Sequence, residues 1–165
     1  MKPLALPLIA ALLVAGCGGD DETPTATMPE RTKTPAPTAE ATPAPERRGT
    51  RVTLGDSQFG DMLFDANRQA IYIFENDRRN KTVCYGECAA AWPPVVTKGR
   101  PVAGKGVDER LLGTVERRDG TRQVTYAGQP LYFYAHEQPG EVRCHNVDLN
   151  GGFWWVIGPD GRRRA

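Results

Sequence analysis

The fold is decided by two related stretches, QAIYIFENDRRNKTVC at residues 69–84 and QPLYFYAHEQPGEVRC at residues 129–144. They align at an offset of 60 residues, and both contain the pattern Tyr-x-aromatic-x-x-acid followed by a cysteine. A small β unit of this kind cannot bury its apolar face alone, so the duplication predicts two repeats packed on each other. The motif residues are Tyr72, Phe74 and Asp77 in the first repeat and Tyr132, Tyr134 and Glu137 in the second.

Outward from these stretches the pattern predicts a mostly β fold: a small antiparallel β domain of two degenerate repeats, with one or two short helices. The run 70–74 is apolar throughout, which is typical of a strand buried on both faces. Residues 84–92 favour a short helix that the following prolines end, and Val107–Gly113 favours one more turn with Asp108 as N-cap and Gly113 as C-cap. The strands and hairpins expected from the pattern are 52–54, 62–64 with 70–74, 123–126 with 130–134, and 153–157.

The first 17 residues are typical of an exported bacterial lipoprotein. A basic start is followed by an apolar run too short to span a bilayer and then by Val14-Ala15-Gly16-Cys17, which resembles a lipobox. The thiol of Cys17 would carry the lipid, and the membrane would be the partner that this lipid reaches. Residues 18–49 are rich in Thr, Pro, Ala and Glu and predict a disordered tether. The chain therefore divides into a signal peptide (1–17), a tether (18–49) and a two-repeat domain (50–165), located on the extracytoplasmic side of the cell envelope.

Composition excludes several classes of function. Lys and Arg total 21 against 20 Asp and Glu, so the net charge of +1 gives no reason to expect a nucleic-acid partner. Only two His and one Ser are present, and no complete catalytic constellation can be assembled from them. The sequence predicts a protein that is not an enzyme, has no catalytic residues and needs no organic cofactor.

Several motifs beyond the repeat resemble one known family. The combination of Tyr72-x-Phe74-x-x-Asp77, Cys84-x-x-x-Cys88 and Trp92-Pro-Pro, together with the later Gly-Phe-Trp-Trp at 152–155, is similar to a family of secreted bacterial lipoproteins. That family is described as a secreted repeat of unknown function, and the resemblance covers nearly all of residues 55–161. It implies an envelope location and a repeat architecture and brings no activity. This sequence departs from the pattern at Glu137, where Asp is usual, and at Cys144-His145.

Three cysteines remain for chemistry if Cys17 carries lipid. An oxidising compartment predicts a disulfide, and three thiols leave one over. A bond between Cys84 and Cys88 is sterically possible across one helical turn, whereas a bond between Cys84 and Cys144 would join the two repeats. The family resemblance favours the first pairing. The alternative is a metal-handling or thiol-redox protein, in which Cys84, Cys88, Cys144 and His145 bind a metal ion, with His136 as a spare ligand.

Most aromatic side chains are expected in the core, but three tryptophans are candidates for an exposed binding surface: Trp92, Trp154 and Trp155. Trp154 and Trp155 are adjacent in a predicted strand and point to opposite faces, so one of them can face solvent. The sequence thus predicts a lipid-anchored, non-enzymatic binding or structural module of the envelope. Its candidate partners are a cell-wall polymer, reached through exposed aromatics, or another envelope protein.

Overall fold

The computed structural model of the chain describes residues 48–164, which carry both repeats. The predicted signal peptide, Cys17 and nearly all of the tether lie outside the described residues. Within the described part, no helix is long and apolar enough to cross a membrane. The first strand begins at Arg48, slightly before the domain boundary predicted at Thr50.

The described residues form a mostly β domain, as the sequence predicts. One short helix, α1 (Glu87–Ala91), and one 3-10 turn (Glu109–Leu111) interrupt it. The strands are β1 (Arg48–Gly55), β2 (Met62–Asp65), β3 (Tyr72–Phe74), β4 (Arg100–Ala103), β5 (Leu112–Glu116), β6 (Arg122–Tyr126), β7 (Gln129–Pro130), β8 (Val147–Leu149) and β9 (Gly152–Val156).

The strands form three small sheets, ordered β2-β1-β4, β3-β9-β8 and β5-β6-β7. All pairs are antiparallel except β1 with β4, which run parallel. A parallel pair needs a long crossover, and here the connection contains the remainder of the first repeat. The hairpin turn predicted between β6 and β7 is confirmed: Ala127 and Gly128 both have positive φ (51° and 82°), as a two-residue turn with the right twist requires.

One local prediction was wrong and another was confirmed only in part. Asp108 caps the 3-10 turn as expected, since its carboxylate accepts a hydrogen bond from the N–H of Arg110. Gly113, however, is not a C-cap. It lies inside β5 and pairs with Thr125, because strand pairing with β6 continues directly from the end of the turn at Leu112. The helix predicted over 84–92 is confirmed only as the shorter α1.

The terminal segment of each repeat pairs with the hairpin of the other repeat. Strand β9 of the second repeat pairs with β3 of the first, with Phe74 opposite Trp154. The segment after α1 in the first repeat does the same in return, since the N–H of Val124 donates to the carbonyl of Val95 at 2.7 Å. The matching bond runs from Leu63 N–H to the Ile157 carbonyl at 3.0 Å. The two repeats are therefore intertwined, and each completes the other's sheet.

Strand β3 and the two residues before it divide the core into two clusters. Ala70, Tyr72 and Phe74 face an aromatic cluster, whereas Ile71 and Ile73 face an aliphatic one. All five are buried, which confirms the prediction of a strand covered on both faces. The aromatic cluster also contains Met62, Phe64, Cys84, Trp92, Tyr132, Val142, Cys144, Trp154 and Val156, and the aliphatic cluster contains Val52, Leu63, Val95, Val124, Tyr126, Leu131 and Ile157.

Candidate functional site

The motif residues meet at the junction between the two repeats, and each tyrosine bonds the acid of the other repeat. The hydroxyl of Tyr132 donates to Asp77 Oδ2 at 2.6 Å, and the hydroxyl of Tyr72 donates to Glu137 Oε1 at 2.7 Å. All four side chains are buried. Burial strengthens such bonds and makes their loss costly, so the motif acts as a reciprocal clasp between the repeats.

The main chains of the two repeats are also joined by a reciprocal pair of hydrogen bonds. The N–H of Tyr72 donates to the carbonyl of Tyr132 at 2.8 Å, and the N–H of Tyr132 donates to the carbonyl of Tyr72 at 2.9 Å. An approximate twofold axis therefore passes between the two motif tyrosines.

Each motif acid also holds the backbone of its own repeat. Asp77 Oδ1 accepts from the N–H of Val83 at 2.7 Å, and Glu137 Oε1 accepts from the N–H of Arg143, six residues on in both cases. Burial raises the pKa of both carboxyls, and the hydrogen bonds from the tyrosine and the backbone partly offset that rise. Glu137 Oε2 is buried and has no hydrogen-bond partner within the described residues.

The two motif tyrosines are held in the protonated form. Burial raises the pKa of Tyr72, and the neighbouring Glu137 carboxylate raises it further. Burial and the charge of Asp77 do the same for the pKa of Tyr132. Both phenols therefore serve as permanent donors at neutral pH and are poor candidates for acid–base chemistry.

Two tryptophans stack across the same axis. The rings of Trp92 and Trp154 lie 3.8 Å apart and 3° from parallel. Each is edge-on to the motif tyrosine of its own repeat, and each contacts the second motif aromatic of the other repeat. The latter contacts are Trp92 with Tyr134 at 4.7 Å and Trp154 with Phe74 at 4.4 Å. Both tryptophans are fully buried, so the prediction that Trp92 and Trp154 belong to a binding surface was wrong.

Arg117 supports this junction from the second repeat, and nothing in the motif pointed to it. Its guanidinium donates to Gln123 Oε1 at 2.7 Å and to the carbonyl of Cys84 at 2.9 Å. It also lies over the ring of Tyr85, and its charge lowers the pKa of Asp77. Only 4% of Arg117 is exposed, so this cation belongs to the interior rather than to a surface site.

The structure joins Cys84 to Cys88 in a disulfide and leaves Cys144 as a buried free thiol. Burial, with the charge of Glu137, raises the pKa of the Cys144 thiol to about 11. Cys84 and Cys88, two of the four metal ligands predicted from the sequence, are therefore used in the disulfide. The Cys144 thiol stays protonated, and a thiol binds metal as the thiolate. Among residues 48–164, no group of three or more His, Cys, Asp or Glu side chains could hold a metal ion. The oxidised chain thus does not assemble that ligand set.

His145 and Trp155 contribute instead to a strip of rings on the outer side of β9. His145 packs 4.2 Å from Phe59 and 5.6 Å from Trp155, and Trp155 lies 5.9 Å from Phe153 (ring centroids). We call these four side chains the aromatic strip. Phe153 is 37% exposed and the other three are partly exposed, which confirms that one of the two adjacent tryptophans reaches the surface. His136, the spare ligand, is exposed beside Tyr134.

Trp155 is the centre of the strip and has two unusual features. Its indole Nε1 is buried and has no hydrogen-bond partner among the described residues. The guanidinium of Arg163 lies over its ring, 4.4 Å from the centroid. Trp155 and Arg163 also line a cavity of about 370 Å³ together with Glu75 and Arg162.

A family model described as a secreted repeat of unknown function matches the chain twice, over residues 53–96 and 113–157. Each match starts in the first strand of a repeat and ends in the segment that pairs with the other repeat. No curated protein and no solved structure matches the chain.

Proposed function

The chain belongs to the family of secreted repeats of unknown function, and from that premise we propose that it is a lipid-anchored, non-enzymatic binding module of the bacterial envelope. Its proposed ligand is a cell-wall glycan, bound along the aromatic strip. Anchoring is supported by the Val-Ala-Gly-Cys sequence that ends at Cys17 and by the Pro-rich segment that follows it. The described domain would then be displayed on the extracytoplasmic side of the membrane.

A non-enzymatic role is supported by how the chain uses its reactive groups. The motif tyrosines and acids are engaged in the clasp between the repeats, Cys84 and Cys88 form a disulfide, and the Cys144 thiol is buried with a pKa raised to about 11. General acid–base or nucleophilic catalysis needs such groups beside a substrate with a pKa near the working pH.

The observation that carries the proposal is the aromatic strip. Sugar rings bury their apolar faces against aromatic side chains. Trp155 supplies a partly exposed ring, and Phe153, two residues away on the same face of β9, extends the platform. Arg162 and Arg163 line the Trp155 cavity together with Glu75 and Asp77, so the cavity carries charged groups of both signs, which can donate to and accept from sugar hydroxyls.

Co-sedimentation with purified, insoluble peptidoglycan tests the proposal. The sample is the chain from Gly18 onward, which has no lipid of its own and retains every described residue. We expect it to pellet with peptidoglycan, and we expect Trp155→Ala to release it. The matched control is Val83→Ala, which removes apolar surface from a side chain that is 47% exposed and lies outside the strip.

The thermal midpoint of each variant is measured alongside, so that loss of binding is not confused with loss of fold. Equal pelleting of the wild type and Trp155→Ala would contradict a role for the strip. Failure of the wild type to pellet would contradict the glycan itself and favour another envelope protein as partner.

A further inference from the structure

A second surface, lined by residues outside the motif, carries a concentration of positive charge. Two adjoining cavities of about 500 and 780 Å³ share Lys98 and Arg122 as lining residues, and Arg100 lines the first. We call these three side chains and the cavity walls between them the basic groove. All three cations are exposed. The walls otherwise contain small or polar residues and three apolar ones, namely Gly49, Thr50, Thr97, Gly99, Gly113, Thr114, Gly120 and Thr121 with Val96, Pro101 and Leu112.

The positive charge of the groove is only partly neutralised. Arg100 pairs with Glu109 at 3.4 Å, and both side chains are more than 60% exposed, so the pair is weak and screened by salt. Glu116 is the cross-strand neighbour of Arg122 in the β5–β6 register, and no ion pair within 4.0 Å joins them in the described residues. Anions that reach the groove therefore meet free cationic donors.

The groove is built on ordered backbone rather than on a loose loop. The hydroxyl of Thr97 donates to the carbonyl of Gly99 at 2.8 Å, and its oxygen accepts from the N–H of Thr50 at 3.0 Å. A Cβ on Gly49 would lie 2.1 Å from Thr97 Oγ1, so glycine allows β1 to approach this loop closely. Lys98 and Arg100 are thereby held on either side of a fixed turn.

The position of the basic groove indicates which partner it binds. Gly49 and Thr50 line it, so the chain arriving from Cys17 enters the domain at this surface. Only about 30 residues separate the proposed lipid from this point, and a flexible segment of that length has a root-mean-square span of roughly 30 Å. A surface tethered so closely experiences a high local concentration of membrane headgroups.

We infer that the basic groove docks the domain onto the anionic phosphate headgroups of the membrane that carries its anchor. The chemistry recognised is phosphate, contacted by exposed Lys and Arg side chains at the surface of a bilayer. Docking there orients the domain on the membrane. This inference rests on the proposed anchor only for its geometry, and it is independent of the glycan proposed for the aromatic strip.

The test measures binding of the chain from Gly18 onward to vesicles, so that no attached lipid contributes. The vesicles contain one part phosphatidylglycerol to two parts phosphatidylcholine, and vesicles of phosphatidylcholine alone are the neutral reference. Each Lys or Arg at such a surface contributes about fivefold to the partition coefficient at low ionic strength. We expect Lys98→Gln with Arg122→Gln to lower partitioning about 25-fold, with a steep decline as salt rises towards about 0.1 M.

The matched control is Arg78→Gln with Lys81→Gln, which removes the same charge from two exposed residues outside the groove. A smaller loss in the control than in the groove variant supports the inference. Equal losses would show that only net charge matters and would overturn it. Binding to soluble polyphosphate but not to anionic vesicles would also overturn it, because the phosphate would then come from a soluble polymer. Peptidoglycan binding that persists in the groove variant separates this result from the proposed function.

Discussion

Removing the hydroxyl of Tyr132 is expected to loosen the clasp without disturbing its packing. That oxygen lies 2.6 Å from Asp77 Oδ2 and within hydrogen-bond distance of Thr82, and the ring is fully buried. In Tyr132→Phe the Asp77 carboxylate keeps its bond from Val83 N–H but loses its other donor. Because a hydrogen bond to a buried charged group contributes about 1.5–3 kcal/mol, the free energy of unfolding should fall by about 2–3 kcal/mol.

The assay is urea unfolding followed by tryptophan fluorescence, with the slope compared between variants. For a domain of this size, we expect the thermal midpoint to fall by roughly 10 °C. Tyr134→Phe is the matched control, because the first repeat already has Phe74 at that position and Tyr134 is half-buried. It should change the free energy of unfolding by less than about 0.5 kcal/mol. A Tyr132→Phe variant as stable as the wild type, or a control equally destabilised, would refute the reasoning.

The pairing itself is tested by a double-mutant cycle. If Tyr132 and Asp77 stabilise the fold through each other, Tyr132→Phe and Asp77→Asn should be non-additive, with a coupling energy of about 1–2 kcal/mol. Additive effects would mean that each group acts through other neighbours.

Three further results are expected. Burial raises the pKa of Tyr72 and of Tyr132, so the native state keeps protons that the unfolded state releases above a pH of about 10. The free energy of unfolding should therefore fall as the pH rises through that range, and it should fall less steeply in Tyr72→Phe. Urea unfolding repeated at several pH values measures this dependence. The pKa of the Cys144 thiol is raised to about 11, so Cys144 should react with Ellman's reagent more than roughly 100-fold more slowly in the native protein than in denaturant. Equal reaction rates would contradict a buried, protonated thiol. Replacing Cys84 and Cys88 by Ser should lower the free energy of unfolding by about 2 kcal/mol, because their bond closes a short loop; no change in urea midpoint would argue against the bond.

Much of the fold could be predicted from the chain because its signals are local. The duplicated motif predicts two repeats, the apolar run 70–74 predicts a strand covered on both faces, and Ala127-Gly128 predicts a tight hairpin turn. Strands β4, β5 and β8 were missed because their residues carry no strong alternation. Leu112 and Gly113 were expected in a helical turn, and long-range pairing with β6 decides their state instead.

The exchange between the repeats could not be predicted, because hydrophobic pattern does not specify which hairpin a terminal strand will join. Trp92 was misplaced for that reason. Its stacking with Trp154 exists only because each repeat contributes its tryptophan to the shared axis.

Only part of the aromatic strip could be predicted from the sequence. Phe153 and Trp155 share one face of a strand, but Phe59 reaches the strip through a contact with His145 that no local pattern encodes. The basic groove could not be predicted from the sequence for a similar reason. The net charge is a sum over the whole chain, and only the fold brings Lys98 and Arg122 to the same cavities.

The indole N–H signals of the tryptophans test the proposed function most directly. All three tryptophans are described: Trp92 Nε1 donates to Asn150 Oδ1 at 3.1 Å, Trp154 Nε1 donates to the Leu149 carbonyl at 2.9 Å, and Trp155 Nε1 has no partner within the described residues. Trp155 belongs to the partly exposed strip, whereas Trp92 and Trp154 are fully buried. In a proton–nitrogen spectrum of the chain from Gly18 onward, titrated with soluble peptidoglycan fragments, the Trp155 signal should move while the other two stay in place. An unchanged Trp155 signal at saturating fragment, or shifts confined to Trp92 and Trp154, would contradict glycan binding at the strip.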